Sequence, residues 1–347
     1  MQTSITKPPH PLQQAELPSN LTKERNTIVD RVRRMGLSAS DAILDPHCSI
    51  FTLPGIDGMI GYHFEPTCAV VYGDPVCHDN DREQLVSAFH DLCKNKGMNI
   101  IYVSASEKFS RWAINHHCEA LIEFGEEMTI DPHDDPKAHS GVKGSLVRRK
   151  VKHALKEGAT VQEYSSPDEE IEKALEAVGK HWLSKRRGPQ VHTSHIHIFD
   201  NRLGKRWFYL SHKGAIVGLV VLHRMDARQG WLLNHLMHTQ EAPHGSPELL
   251  ITSVLETLAA EGSHFVTFGP VTAERLGEIK GFGSFAKSVA RTIFWCANRL
   301  FHLDKRRKFW EKFHPKSEKT YLLFASSRFG LKELDGLKKA LNVSLDG

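Results

Sequence analysis

The chain has 347 residues, which is more than one hydrophobic core usually serves, so we expect two domains. Its 45 Lys and Arg nearly balance its 41 Asp and Glu, and a formal net charge of +4 excludes a fully polybasic nucleic-acid binder without excluding a local basic patch. The longest apolar run, Ala215–Leu222, is far shorter than the roughly 20 residues of a membrane span, and no apolar segment near the N-terminus predicts a secretory signal. Six cysteines without a CxxC spacing predict reduced thiols in a cytoplasmic protein.

The first half of the chain alternates strand-like runs with amphipathic helices. Residues 1–22 are rich in Pro, Gln and Ser and predict a disordered arm. In the helix that follows, Arg31, Arg33 and Arg34 fall on the face opposite the apolar residues. In chain order the pattern predicts a helix at Lys23–Gly36, strands at Ser49–Leu53, Gly61–Phe64 and Ala69–Tyr72, a helix at Arg82–Lys96 and a strand at Asn99–Ala105.

The second half repeats this order. Ser166 and Pro167 predict the start of one helix, and Ser246 and Pro247 the start of another, which Gly262 closes. The predicted strands of this half are Trp207–Ser211, Ala215–Leu222, Gly230–Leu236 and His264–Phe268. The repeated unit of strand, loop, helix, glycine and strand indicates two similar α/β domains whose sheets are mixed, as in acyltransferases, rather than doubly wound. The predicted units are the arm at 1–22, a first domain at 23–163, a second domain with the active cleft at 164–290, and a basic helical extension with a returning strand at 291–347.

Three basic segments stand out from this pattern. Val147–His153 and Leu183–Arg187 are rich in Lys and Arg, and Asp304–Lys319 interleaves seven Lys and Arg with three aromatic residues. Cations beside aromatic rings suit phosphate backbones and unstacked bases. Because the apolar side chains of residues 293–303 precede the last run, an interfacial helix on a membrane fits equally well. A solvated helix face with a buried aromatic edge also explains the pattern, so all three interpretations stay open.

Familiar cofactor motifs are absent from the sequence. There is no GxGxxG turn, no GxxxxGK[ST] loop and no HExxH, so nucleotide binding by those routes has no support. Two histidine groups lack the spacing and the Cys or carboxylate companions that a metal usually recruits. They are His192, His195 and His197, and His235, His238 and His244. We therefore predict no metal site and no bound cofactor.

Several motifs occur in the order seen in one family. The segments are Tyr72–Val76, Gly125–Met128, Lys143–Gly158, Trp182–Leu183, Phe199–Asp200, Leu236–Gly245, Phe268–Val271 and Lys312–Leu322. They resemble, in turn, the GDPVG, GEEA, GK…LR…REG, WL, FD, DLMR…AP, LG-x-APL and KF-x-P…YL segments of the catalytic region of phosphatidylglycerol lysyltransferases. Eight pieces in the right order over roughly residues 36–325 make the chain similar to a stand-alone member of that family.

The resemblance implies an α/β (α+β) fold with two tandem GNAT-like domains, each a mixed, mostly antiparallel sheet flanked by helices. It also implies an aminoacyltransferase that moves an amino acid from charged tRNA to a lipid hydroxyl. The aminoacyl ester is already activated, so neither ATP nor another cofactor is needed. The implied partners are aminoacyl-tRNA and a lipid acceptor, which the enzyme would reach from the cytoplasm at the inner face of the membrane.

The resemblance also proposes site residues. The family's DLMR aspartate and arginine align with His235 and His238, and an imidazole that titrates near neutrality predicts His235 as general base. Glu248 is expected to hold the substrate ammonium or the acceptor. The residues expected to contact tRNA or lipid phosphate are Arg148, Lys152, Arg306, Arg307, Trp310 and Lys312. Structural explanations stay open for each of these residues: a remodelled pocket, a glutamate that complements a helix dipole, and a solvated basic face.

Three alternatives remain at this point. An acyl-CoA-dependent N-acyltransferase of the GNAT type would need an anion-binding loop before a helix, and Gln240–Ser246 does not have its spacing. A transferase that adds amino acids to peptides would use the same donor and a different acceptor. A non-catalytic tRNA- or membrane-binding protein is the third alternative, because the DLMR aspartate and arginine are replaced.

Overall fold

The computed structural model describes residues 19–185, 198–301, 304–327 and 330–341. The strands are β1 Ser49–Phe51, β2 Gly58–Glu65, β3 Cys68–Tyr72, β4 Val76–Cys77, β5 Asn99–Ser106, β6 Ala120–Ile130, β7 Thr160–Tyr164, β8 Lys205–His212, β9 Ala215–Met225, β10 Gly230–His238, β11 Val266–Thr272, β12 Ile279–Lys280 and β13 Lys316–Phe324. The α-helices are α1 Ser19–Met35, α2 Arg82–Asn95, α3 Glu107–His116, α4 Gly141–Lys156, α5 Glu169–Ser184, α6 Ser246–Ala260, α7 Ser284–Phe301, α8 Asp304–Trp310 and α9 Leu331–Ala340.

One long sheet runs through both halves of the chain, in the order β1-β2-β3-β5-β13-β6-β11-β10-β9-β8-β7. The halves join where β11 pairs antiparallel with β6, with Val266 opposite Ile130. Near the C-terminus, β13 pairs with both β5 and β6, so this returning strand lies inside the first half of the sheet. Among the described strands only β3–β5 and β10–β11 are parallel, which confirms the predicted mixed, mostly antiparallel sheet.

In the second half, alternate side chains of the strands face two different helical layers. Phe208, Val220, Leu222 and Leu233 pack with α4 and α6 on one face. Trp207, Tyr209, Leu219, Val221 and Met237 pack with α5 on the other face. This alternation follows from the two-residue period of a strand, and it decides which polar side chains of β9 and β10 can meet.

The first residues of α5 and α6 show which sequence signals correctly predict the start of a helix. Helix α6 begins at Ser246, as predicted, and Gly262 follows its end with φ +77°. Helix α5 begins at Glu169 rather than at Ser166 and Pro167. The Asp168 carboxylate accepts hydrogen bonds from the next helical N–H groups, at 2.9 and 3.2 Å, and so caps the helix.

Two expectations for the N-terminal region need correction. Helix α1 begins at Ser19, so residues 19–22 are helical rather than part of a disordered arm, and residues 1–18 lie outside the described part of the chain. Arg33 is only 1% exposed and does not share a polar outer face with Arg31 and Arg34, because it turns towards β9 of the second half. No helix of the described ranges has both the length and the apolar character that crossing a membrane requires.

Candidate active site

The parallel strands β10 and β11 pair over only two positions, Trp231 with Val266 and Leu232 with Thr267. Beyond them each strand has an irregular register with its other neighbour: β10 between Leu233 and His235, β11 after Thr267. The parallel pair of the first half, β3 and β5, continues over five positions. The two parallel strands of the second half therefore separate, whereas those of the first half stay paired. Bulges beside such an opening direct side chains into it.

Asn234 is the extra residue of the β10 bulge, and it joins a buried polar cluster. Its Nδ2 donates to Asp41 Oδ2 at 2.8 Å. The other carboxylate oxygen, Asp41 Oδ1, lies 2.7 Å from His223 Nδ1 and accepts from Arg33 Nη1 at 2.9 Å. Arg33 also donates through Nε to the carbonyl of Leu203 at 3.2 Å. Helix α1, the 3₁₀ turn at Ser38–Leu44 and strands β9 and β10 thus converge on one carboxylate.

The electrostatics of this cluster keep the acid ionised and the imidazole neutral at pH 7. Burial raises the pKa of Asp41, but His223 and Arg33 outweigh burial and hold that pKa well below its ordinary value. Burial lowers the pKa of His223 to about 4, although Asp41 opposes this shift. When Nδ1 of the neutral ring donates to Asp41, the lone pair lies on Nε2. That atom is buried and has no hydrogen-bond partner within the described residues.

His235 lies on the same face of the sheet as His223. It is opposite Val221, two residues from His223 along β9, and the two imidazole centroids are 6.2 Å apart with nearly perpendicular rings. Burial lowers the pKa of His235 to about 3, and the neighbouring His223 contributes in the same direction. His235 is therefore neutral at pH 7 and presents a ring nitrogen that can accept a proton.

Arg306 is the predicted phosphate-binding residue that the structure brings to this opening. Its Nη2 donates to the carbonyl of Phe268 on β11 at 3.1 Å. The same guanidinium lies 3.6 Å from the point where Gly269, with φ +74°, would carry a Cβ atom. Its charge is also near enough to lower the pKa of His235. A cation and a neutral base therefore lie at the same break in the sheet.

Glu248 lies on the other face of the sheet from His235. It is buried in the first turn of α6, where it forms an ion pair with Lys312 and lies 3.1 Å from Lys150 Nζ. Burial raises the pKa of Glu248, but the hydrogen bond and charge of Lys312, together with a backbone hydrogen bond and the charge of Lys150, outweigh burial and lower it. The structure therefore does not bring Glu248 together with His235, and it gives this carboxylate two cationic partners from its own chain.

The remaining residues of the basic tail also contact the protein itself. Trp310 is 5% exposed and stacks on Phe268, with centroids 4.2 Å apart and an interplanar angle of 6°. The Lys312 ammonium lies 3.7 Å from the centroid of the Phe309 ring. Arg307 pairs with Glu311 at 3.1 Å. The predicted buried aromatic edge thus describes Trp310 better than an exposed stacking platform does.

Three predicted residues lie at the surface. Arg148 on α4 donates to the carbonyls of Lys137 and His139, at 2.5 and 2.7 Å, while Lys152 is exposed one turn further along the helix. His238 is exposed at the end of β10, with Nδ1 3.1 Å from the Thr239 carbonyl. The structure brings none of these three into the Asp41 cluster.

Of the two histidine groups weighed above as metal sites, His192, His195 and His197 lie outside the described residues, and His235, His238 and His244 do not assemble around one point in the part of the chain that the structure describes. A different group, Asp131, His133 and His264, has ligand atoms within 4.8 Å of one another. Its two imidazoles stack at 4.4 Å with an interplanar angle of 17°, and each faces an Asp131 oxygen. Each ring can donate an N–H from Nδ1 to its own Asp131 oxygen, so two hydrogen bonds to one carboxylate account for this arrangement.

Sequence reasoning missed Arg33, Asp41, His223 and Asn234. One local signal existed: His223 continues the apolar strand Ala215–Leu222 in phase with Leu219 and Val221, so its position predicts a buried polar group. Asp41 and Arg33 carried no such signal, because they meet His223 across 182 and 190 residues of chain. Only the tertiary fold brings them together.

The open parallel pair and its buried polar cluster form a candidate site in a mixed α/β sheet, and comparisons with known proteins identify the class of protein that carries it. The family described as "Phosphatidylglycerol lysyltransferase, C-terminal" matches residues 33–324, so the chain belongs to that family, whose members are transferases of the lysylphosphatidylglycerol synthetase type. No match was found among the curated proteins.

Solved structures show the same fold. The C-terminal domain of a putative lysylphosphatidylglycerol synthetase from Agrobacterium fabrum has a TM-score of 0.75 and 19% identity, over 93% of this chain and 98% of that chain. L-PGS from Bacillus licheniformis has a TM-score of 0.74 and 16% identity, over 90% and 94%. FemX is more distant, with a TM-score of 0.51 and 9% identity over 94% and 99%. At these identities the likeness concerns the fold.

Proposed function

We propose that this protein transfers an amino acid from charged tRNA to a hydroxyl group of a lipid. The observation that carries the proposal is the neutral His235 at the β10–β11 opening, backed by His223 and the Asp41 carboxylate, in a chain of the lysyltransferase family. The family name supports an amino acid as the transferred group and a lipid as the acceptor, and the resemblance described above implies charged tRNA as the donor.

The reaction needs one proton acceptor and no redox partner. The acceptor hydroxyl oxygen attacks the ester carbonyl carbon while a His235 ring nitrogen takes the hydroxyl proton. The tetrahedral intermediate then collapses, the bond to the tRNA ribose oxygen breaks, and that oxygen receives the proton from His235. The anionic Asp41 stabilises the transient imidazolium through space, as its upward effect on the pKa of His235 indicates. Asp41, His223 and Asn234 act as positioning residues.

The C-terminal segment supplies the charge for the substrate phosphate. Arg306, at the opening, would contact a phosphate of the tRNA end or of the lipid headgroup. Trp310 and Lys312 follow Arg306 in the chain and are anchored by Phe268 and Glu248, so they would fix its position rather than bind substrate. Arg307 would contribute to the same positioning. Arg148, Lys152 and His238, at the surface, are the residues that remain available to the body of the tRNA.

An acyl-CoA donor fits the structure less well. A GNAT enzyme holds the pyrophosphate at the N-terminus of the helix that follows the bulged strand, which is α6 here. A side chain at Gly245 would collide with the Lys150 carbonyl of α4, so that helix packs tightly over the site. Lys312 and Lys150 are already paired with the buried Glu248 in the first turn of α6, so these cations are engaged by a carboxylate of the chain itself. These features support the tRNA-dependent reaction over the acyl-CoA alternative.

The test combines transfer with a matched pair of variants. Purified protein receives bulk tRNA charged with labelled amino acids and dispersed membrane lipid, and label in the organic phase is counted with and without RNase pretreatment. We expect RNase-sensitive transfer that His235→Gln reduces by about 100-fold or more, while His116→Gln, on the exposed face of α3, leaves it unchanged. Intact charged tRNA after incubation with wild-type protein would contradict the proposal. If the label passes to an added peptide and not to lipid, the acceptor is a peptide, as in the alternative transferase described above.

A further inference from the structure

Helix α7 exposes a continuous apolar strip. Phe285 and Trp295 are 84% and 63% exposed, and Val289, Ile293 and Leu300 are exposed as well. At about 100° per residue, positions 285, 289, 293 and 300 fall within an arc of about 80°. The helix contacts its own protein on the other side, where Ala290 packs against the core of the first half. The strip is therefore an outward face of the helix and not part of the fold's own core.

The charges of α7 have one sign. The helix contains Lys287, Arg291 and Arg299 and no acidic residue. Arg291, Trp295 and Arg299 are all exposed. At about 100° per residue, Arg299, Trp295 and Arg291 lie about 40°, 80° and 120° beyond the Phe285 side of the apolar arc. The next helix, α8, begins at Asp304 and adds four consecutive Lys and Arg residues, 305–308. An apolar strip bordered by cations and a tryptophan suits a surface that is apolar inside and anionic at its edge.

We propose that the exposed face of α7 is a docking surface for an anionic lipid bilayer. This proposal rests on the proposed function for the lipid acceptor, and it adds the surface through which the protein would contact the membrane. The 18-residue helix would lie in the interface with Phe285, Val289, Ile293 and Leu300 among the acyl chains and Arg291 and Arg299 at the headgroups. Because α8 carries Arg306 to the β10–β11 opening, docking through α7 would bring that opening towards the membrane surface.

Two other occupants fit this face less well. RNA would match the cations but would leave Val289, Ile293 and Leu300 against polar phosphate and sugar groups, since stacking needs aromatic or guanidinium planes. A second copy of this chain would place the uncompensated cations of two α7 helices close together, at an electrostatic cost. An anionic bilayer satisfies the apolar strip and the charges together.

Vesicle flotation with the full chain tests this proposal. We expect the protein to float with vesicles containing phosphatidylglycerol and phosphatidylcholine, and to do so at least about tenfold less with phosphatidylcholine alone, with added salt weakening the interaction. Phe285→Ser with Ile293→Ser should lower the apparent affinity by about tenfold or more. Leu155→Ser on α4 is the matched control, because Leu155 is exposed to a similar extent and lies away from α7. Unchanged melting temperatures establish that the variants are folded.

The outcomes separate the docking proposal from the proposed function. Equal flotation of the double variant and the wild type would overturn docking through α7. So would a double variant that loses tRNA binding or self-association while its flotation is unchanged. Flotation that depends on α7 with no transfer of label would sustain docking and contradict the transferase. If both hold, the double variant should lose more transfer on vesicles than on detergent-dispersed lipid, whereas His235→Gln should lose it equally on both.

Discussion

Burial, rather than the ordinary titration of histidine, sets the chemistry at residue scale. His235 and His223 are neutral well below pH 7 because burial lowers the pKa of each ring, and neighbouring positive charges lower it further. The sequence suggested His235 as a base because free histidine titrates near neutrality, but the structure keeps it unprotonated over a wider range. The Asp41 anion opposes the effect of burial on the pKa of His235, so the ring is less weakly basic than burial alone would make it.

The pH dependence of transfer follows from these shifts. Because the pKa of His235 in the free enzyme is about 3 and that of His223 about 4, the base stays unprotonated as the pH falls from 7 to 5. We expect kcat/KM for charged tRNA to be nearly constant over that range. A tenfold fall with a midpoint near 6.5 would show that His235 is solvated, and the assigned environment would then be wrong.

The same shifts predict how stability depends on pH. His223 and His235 have lower pKa values in the folded chain than the ordinary 6.5, so the unfolded chain binds more protons between about pH 4 and 6.5. Their contribution to stability is complete above pH 6.5 and is lost as the pH falls through about 4. The free energy of unfolding from urea titrations should therefore decrease from pH 7 to pH 4. A variant with His223→Gln should show a weaker decrease, and an identical slope would contradict the assignment.

At the scale of elements, the Glu248–Lys312 pair joins α6 to the C-terminal segment, and Lys150 extends it to α4. Both groups of the pair are buried, so each depends on the other for compensation. The pair therefore links the packing of α6 to that of α4 and the C-terminal segment.

A double-mutant cycle measures this pair. Glu248→Gln and Lys312→Met should each lower the free energy of unfolding by about 3 kcal/mol, because each leaves a buried charge without its main partner. The double variant should lose clearly less than the sum, since no unpaired charge of the two remains. Urea unfolding of the four proteins gives the coupling energy, and additive losses would mean that the pair is not formed.

Helices and strands marked by capping residues or apolar runs in their own sequence were predictable. Features that depend on residues distant in the chain were not. Ser246, Pro247 and Gly262 marked α6 on both sides, and the strands around Ala215–Leu222 and Asn99–Ala105 followed from apolar runs. The β10 bulge at Asn234 was not predictable, because an extra residue shows only against the partner strand. The burial of Arg33 was missed because its partners, Asp41 and His223, lie in other elements.

The whole molecule depends on one uninterrupted sheet. The sequence predicted two similar halves and a returning strand near the C-terminus, but nothing local indicated that β13 pairs with β5 and β6. That insertion makes the first half complete only after the last strand has been made. The second half pairs through β11 with β6, the strand that β13 also pairs with, so β6 joins the second half to the C-terminal strand.

Truncation tests this dependence. A chain that ends after His314 lacks β13, which leaves β5 and β6 without their shared partner and exposes the core side chains Tyr321 and Leu323 pack against. We expect it to be insoluble or to lack a cooperative unfolding transition. A chain that ends after Ser327 keeps β13 and loses α9, and it should remain folded with a lower melting temperature. Cooperative unfolding of the shorter chain would contradict the assigned sheet order.

Whether this protein moves an amino acid from tRNA to lipid can be read from the amount of label that passes from charged tRNA into the organic phase. Purified protein, charged bulk tRNA and total membrane lipid are incubated together, and label in the organic phase is compared with and without RNase. We expect RNase-sensitive transfer that falls at least about 100-fold with His235→Gln. Charged tRNA that remains intact beside unlabelled lipid would contradict it.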